Sequence, residues 1–213
     1  MKPDEHNHLG QKIGSKGQRT RQALIDATIH LLEERGLRDL AVADVARLAN
    51  TSPATFYVYF RGVSEVVLAA LAGAPHTSPR LDALMGRNWL GPGGEDAALA
   101  LVDEYTALWA QNRTIFRVRN LAAEEGDERF YQDRLDAARP IMEGLTPQIV
   151  RAQAARRAPH HLDPRACIGA LLMMLERLSA IGPLRAGKAD APDFNALKAA
   201  AAHLLAATLG AAN

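Results

Sequence analysis

The sequence predicts an all-α fold, and three observations carry that reading. Apolar residues return at steps of three and four along most of the chain. Alanine and leucine recur throughout, while aromatics are only 5% of the 213 residues. β-branched runs with period-two alternation are scarce. Hydrophobic residues at 48% and charged residues at 23% are those of an ordinary globular protein. That mix excludes wholesale disorder and collagen-like or disulfide-scaffold chains, and a chain of this size buries roughly 70% of its unfolded surface. A single cysteine, Cys167, excludes an intramolecular disulfide and a thiolate-only zinc site. It suits a reducing compartment. No stretch nears the roughly 18 consecutive apolar residues of a membrane helix, and Met1 to Gly10 lacks the apolar run of a signal peptide. A cytoplasmic protein without a membrane partner is therefore expected. Lys and Arg number 25 against 24 Asp and Glu. The net charge of +1 says nothing about partners, and only the distribution of charge informs.

The elements follow in order. Residues 1–17 read as a flexible basic arm. The first helix is expected from Thr20 as N-cap, with Leu24, Ala27 and Leu31 as a core stripe and Gly36 after its end. A second helix fits Val42 to Leu48. A break of three residues (Ala49, Asn50, Thr51) leads to a third helix from Ser52 to about Tyr59. There Ser52 can cap, and Pro53 stands where a missing N–H costs nothing. A fourth runs from Val63 to Ala72. Gly73 to Pro79 is a linker. Residues 80–90 hold one short helix, and Gly91-Pro92-Gly93-Gly94 is a stop. Amphipathic helices cover Glu95 to Gln111 and Thr114 to Ala123. Asp127 to Arg157 is a long helical stretch expected to be interrupted near Pro140 and Pro147. Pro164 to Ile181 and Asp193 to Leu209 are the last helices, joined by a Gly/Pro/Lys-rich loop (Gly182 to Pro192). The domain limits expected are an arm over 1–17, a first domain over 18–72 and a second over 80–213.

Two short helices joined by a tight turn, with a helix ahead of them, form a helix-turn-helix. The turn carries Asn50, which tolerates a left-handed backbone. The third helix opens on small and hydroxylated residues: Ser52, Pro53, Ala54 and Thr55. Small side chains let a helix approach base edges in the major groove, and N–H groups there can face phosphates. Lys12, Lys16, Arg19 and Arg21 stand within ten positions with no acid among them. Alone they read as a solvated tail; beside a helix-turn-helix they read as phosphate contacts.

Residues 19–72 resemble the DNA-binding domain of the TetR-like transcriptional regulators. The resemblance runs through Arg19-Thr20-Arg21, Ile25, Ala27, Leu31, Gly36, Val42, Val45-Ala46 and Ala49. Its most specific part is Ser52-Pro53-Ala54-Thr55-Phe56-Tyr57-Val58-Tyr59-Phe60. It implies an N-terminal three-helix helix-turn-helix DNA-binding domain followed by a helical ligand-binding and dimerisation domain. By position it implies Phe56 and Phe60 as packing residues. Tyr57 and Tyr59 match phosphate donors, although either also reads as a half-buried rim tyrosine. Ser52, Pro53, Ala54 and Thr55 match the DNA-facing start of the recognition helix, and Thr20 matches a hydroxyl capping helix one near the backbone. With Lys16, Arg19 and Arg61 these are the DNA-contact candidates. Four departures bear on affinity more than on fold. Ala41 replaces a capping threonine, for which Asp39 could substitute. Asn50 replaces a turn glycine, and Ala54 replaces a glycine at the groove face. Val63 replaces a lysine, for which Arg61 could compensate.

In the second half the resemblance implies a small-molecule pocket and a homodimer interface but assigns no residues. Pocket candidates are Trp89, Tyr105, Trp109, Phe116, Arg119, Met173, Met174 and Arg177, since apolar pockets carry a few orienting polar groups and Met173-Met174 suits an adaptable wall. Each also reads as core. Leu171, Leu172, Leu175 and Leu178 on one helix and Leu197, Ala201, Leu204 and Leu205 on the last make wide apolar faces. They serve either one intramolecular core or a four-helix bundle between two copies. No cofactor is expected. No Gly-rich phosphate loop, G-x-S-x-G elbow or H-E-x-x-H helix occurs. His160, His161 and Cys167 match no zinc spacing, so an enzyme is not expected. The expected partners are double-stranded operator DNA, a second copy and a largely apolar small-molecule effector. The function expected is a ligand-responsive repressor. The alternative is a helical ligand-binding or scaffold dimer with a weakened DNA reader.

Overall fold

The structure, a computed structural model, describes residues 13–185 and 192–211. Among the described residues there are ten α-helices, one 3-10 turn and no strand. The order is α1 (Ser15–Glu34), the 3-10 turn (Leu37–Asp39), α2 (Val42–Leu48), α3 (Pro53–Tyr59), α4 (Val63–Gly73) and α5 (Pro79–Gly86). Then come α6 (Gly94–Gln111), α7 (Arg113–Glu124), α8 (Glu128–Ala154), α9 (Pro164–Arg185) and α10 (Phe194–Thr208). No single described helix is long and apolar enough to cross a membrane.

The start of the first helix corrects the sequence reading. α1 begins at Ser15, with Gly14 as N-cap and no side-chain cap. Thr20 caps nothing: its hydroxyl donates to the Lys16 carbonyl one turn back, at 3.2 Å. Packing explains the longer helix. Ile13 is buried, and a Cβ on Gly17 would lie 2.7 Å from Ile13 Cγ2 and 3.1 Å from the Tyr59 hydroxyl. The first turn of α1 is thus seated on the end of α3. Lys12 and the arm before it lie outside the described residues.

Two further expectations change. α8 continues through Pro140 and Pro147 rather than breaking. Each proline removes one backbone donor, but Ile141, Leu145 and Ile149 are buried at four-residue spacing, and the buried Gln148 amide donates to the Met85 carbonyl at 2.9 Å. Burial of one face holds the helix together where local propensity would interrupt it. α9 runs on to Arg185, through the first residues expected as loop; residues 186–191 of that loop lie outside the described residues.

The helices divide into two compact units. One holds the described residues up to Ala74 together with Thr114–Arg134; the other holds Pro75–Arg113 and the described residues from Leu135 onward. By contacts residues 114–134 group with the helix-turn-helix, whereas in sequence they fall within the expected second domain. An ion pair at 3.0 Å joins Arg38 in the 3-10 turn to Glu125 after α7. In the first unit α1 packs on α2 and α4, and α2 on α3, around Leu24, Val45, Phe56, Phe60, Val66 and Leu71. In the second, α10 packs on α6 and α9, α5 on α6, and α6 on α9. Its core includes Leu101, Ile168, Leu175 and Leu205.

Candidate nucleic-acid interface

The turn between α2 and α3 is fixed by hydrogen bonds that a left-handed residue makes available. Asn50 has φ 52°. Its N–H reaches the Arg47 carbonyl at 3.1 Å, and the Thr51 N–H reaches the Ala46 carbonyl at 2.9 Å. This pair of bonds is a Schellman closure, and Asn accepts the conformation at modest cost. Ser52 then caps α3 as expected: its Oγ accepts from the Thr55 N–H at 3.1 Å, with Pro53 at the first helical position. The Ser52 and Thr55 hydroxyl oxygens lie 3.0 Å apart. α2 has no such device. Its N-cap is Ala41, without a side-chain hydrogen bond, so Asp39 does not substitute for the missing threonine.

α3 has two faces. Phe56 and Phe60 are buried against the other helices of the head. Their rings are 5.9 Å apart, and the Arg21 guanidinium lies 5.1 Å from the Phe60 centroid. Arg21 is thereby half-buried over an aromatic face. Outward stand Ser52, Pro53, Ala54, Tyr57 and Val58, all exposed. The two tyrosines part company. Tyr57 is 51% exposed, whereas Tyr59 is half-buried with its hydroxyl against Gly17.

The cations also separate into two sets. Arg35 and Arg47 share Asp44, at 3.1 and 2.9 Å, and Arg38 is held by Glu125. Lys16, Arg19 and Arg61 are exposed and make no ion pair with described residues. Arg61 stands directly after α3, and its backbone N–H is taken by Glu65, which closes the first turn of α4. Val63, which stands where the resemblance implies a lysine, is half-buried. Short-range sequence inspection could not pair Arg38 with Glu125, which is distant along the chain, whereas Asp44 lies only three residues before Arg47. Val58 is the exposed residue of α3 that the sequence reading passed over. Its position four after Ala54 was the available signal.

The candidate pocket residues are divided between the two units. Trp89, Tyr105 and Trp109 are buried in the second unit. Phe116 and Arg119 are buried in the first, where the Arg119 guanidinium lies 4.7 Å from the Phe116 centroid and 3.7 Å from Asp133. Met173 and Arg177 are exposed on α9, and Met174 is half-buried. Of the interface candidates, Leu175, Ala201 and Leu205 are consumed inside the protomer and offer nothing to a partner. Leu171, Leu178 and Leu197 are half-buried, and Leu204 is 51% exposed. The outward face of α10 is Ala196, Ala200, His203, Leu204 and Ala207. His160 and His161 are exposed with their rings edge to face, and Cys167 is half-buried.

A helix-turn-helix ahead of a helical second unit is also what comparison with known proteins finds. Residues 81–205 match the family described as "Tetracyclin repressor-like, C-terminal domain". Residues 24–70 match "Bacterial regulatory proteins, tetR family". The chain belongs to the TetR family. The regulator BetI of Brucella anthropi is 42% identical over 60 residues, 28% of this chain and 30% of that protein. SrpR of Pseudomonas putida is 31% identical over 68 residues, 32% of each chain. The chain thus matches about a third of the length of these relatives. Among solved structures, FadR of Bacillus halodurans aligns over 92% of this chain and 97% of its own, with a TM-score of 0.63 and 17% identity. The MbdR regulator of Azoarcus sp. CIB gives 0.64 at 14% identity, over 87% and 96% of the two chains. At such identities the shared property is the fold.

Proposed function

We propose that the protein is a homodimeric, ligand-responsive DNA-binding regulator, acting as a repressor in the cytoplasm. The observation that carries this reading is the outward face of α3, capped by Ser52 and flanked by Lys16, Arg19 and Arg61, whose charges no described acid neutralises. Cations of that kind lower the free energy of phosphate contact by releasing counterions. Phosphate contacts set register, and the α3 side chains supply base discrimination. Two copies are needed because half-sites on a duplex are related by two-fold symmetry. The Ala-rich outward face of α10, with Leu204 and the exposed Met173 of α9, supports a close helix–helix interface.

The effector is a small, largely apolar molecule. One related fold was solved with stearoyl-CoA, the FadR of Bacillus subtilis, and an apolar ligand suits the buried rings of Trp89, Tyr105 and Trp109 in the second unit here. Within that unit Trp89 is buried and its indole N–H meets no acceptor among the described residues. It would donate to an oxygen of a ligand lodged beside it. The effector acts by binding better to a dimer whose recognition helices are wrongly spaced for the operator; only that difference in affinity shifts the population.

A second reading is a ligand-binding dimer with a weakened reader, favoured by the uncapped start of α2 at Ala41 and by Val63. Genome-wide mapping of bound DNA, followed by an electrophoretic shift assay on the recovered fragments, separates the two. Discrete sites bound in preference to bulk DNA support the regulator. Uniform, weak retention of all fragments supports the second reading.

A further inference from the structure

The recognition helix lacks the side chains that usually read bases. Pro-Ala-Thr-Phe-Tyr-Val-Tyr, residues 53–59, contains no Arg, Lys, Asn or Gln. Bidentate recognition of guanine by Arg or Lys, and of adenine by Asn or Gln, is therefore closed to α3. The aliphatic hydroxyls at its start are paired with each other, with Ser52 Oγ holding the Thr55 N–H and lying 3.0 Å from Thr55 Oγ1, so one O–H of the two is already spent. What α3 turns outward is mostly carbon, namely Pro53, Ala54 and Val58, with the phenol of Tyr57 beside them. Val58, a β-branched residue, is 37% exposed. Arg47, on the helix before, is tied to Asp44. The uncompensated cations Lys16, Arg19 and Arg61 lie outside α3, on α1 and just past its end, where they complement a polyanion.

One base edge in the major groove is apolar: thymine, through its C5-methyl group. We propose that the protein recognises its DNA site through thymine methyl groups, with Ala54 and Val58 as the specificity-determining side chains. This rests on the DNA-binding reading above. The occupant of the apolar face is the major groove of a duplex, and the charge around that face favours it over a protein partner.

The test uses the full chain and random duplex libraries made with either thymidine or deoxyuridine triphosphate. Uracil keeps every hydrogen-bonding group of thymine and lacks only the methyl. The thymine library should yield a site with fixed thymines in each half. Replacing those thymines singly by uracil should weaken binding about fourfold each, the factor expected for one buried carbon. The slope of affinity against salt should not change, because phosphate contacts are intact. Val58→Ala and Ala54→Gly, both exposed changes, should each abolish the thymine–uracil difference at one position. Equal affinity for thymine and uracil duplexes, with specific binding retained, overturns the methyl reading and leaves the DNA reading standing. So does a difference that survives in both variants, which would assign it to duplex shape. Failure of both libraries to enrich any sequence overturns both readings.

Discussion

Tyr57 and Arg61 carry the largest expected effects on DNA affinity, for different reasons. The Tyr57 ring leans edge-on against Phe56, with centroids 5.6 Å apart, so its hydroxyl is presented from a fixed base. Tyr57→Phe should weaken all duplexes alike by about 1 kcal/mol, the worth of one hydrogen bond, measured by fluorescence anisotropy. Arg61→Gln should reduce the log–log salt slope by about 0.9 per monomer. Tyr59→Phe should leave DNA affinity nearly unchanged, since its hydroxyl lies against Gly17 rather than facing outward. Ser52→Ala removes the α3 cap and should cost about 1 kcal/mol of stability by thermal or urea melting. The capping role of Ser52 was legible in the sequence because cap chemistry is local, and the packing role of Phe56 and Phe60 was legible through the family resemblance. The burial of Arg21 over Phe60 was not, since a charge 39 positions upstream of its ring gives no local sign.

At the scale of elements, helix ends were legible where a residue's own chemistry decides them and obscure where packing decides. Ser52, Ser78 and Asp193 cap α3, α5 and α10 by accepting backbone N–H bonds. α1 begins earlier than its polar residues suggest because Ile13 is buried, and α8 survives two prolines because its apolar face is buried. Asp127, before α8, accepts from the Arg129 side chain and backbone N–H. The Arg129 side chain beside it holds its carboxyl below the usual carboxylate value. A group with a lowered folded-state pKa stabilises above its unfolded value, and that stability fades as pH falls through the folded value. The melting temperatures of wild type and Asp127→Ala should therefore differ at neutral pH and converge in acid. Gly94→Ala should destabilise the second unit by about 1–3 kcal/mol, because the added Cβ would meet Ala211 at 2.4 Å and the Trp89 carbonyl at 3.2 Å.

For the whole molecule, the proposed function depends on two copies presenting α3 together. The sequence conveyed the apolar extent of α9 and α10 but not which flank faces inward. Their faces are nearly all apolar, so periodicity could not separate core from interface, and Leu175, Ala201 and Leu205 proved to be core. The outward stripe is marked by exposure alone. Leu204→Glu should give a monomer by sedimentation velocity without unfolding, and with it a large loss of operator affinity. Anisotropy titration of a mapped genomic site, over a series of salt concentrations, tests the central claim most directly when wild type is set beside a Tyr57→Ala/Arg61→Ala variant of equal helicity. Site-specific wild-type binding that falls steeply with salt, and a variant that binds the site and bulk DNA alike more weakly and with a shallower salt slope, is the predicted result. A variant that binds the site as tightly as wild type, with the same salt slope, would contradict it.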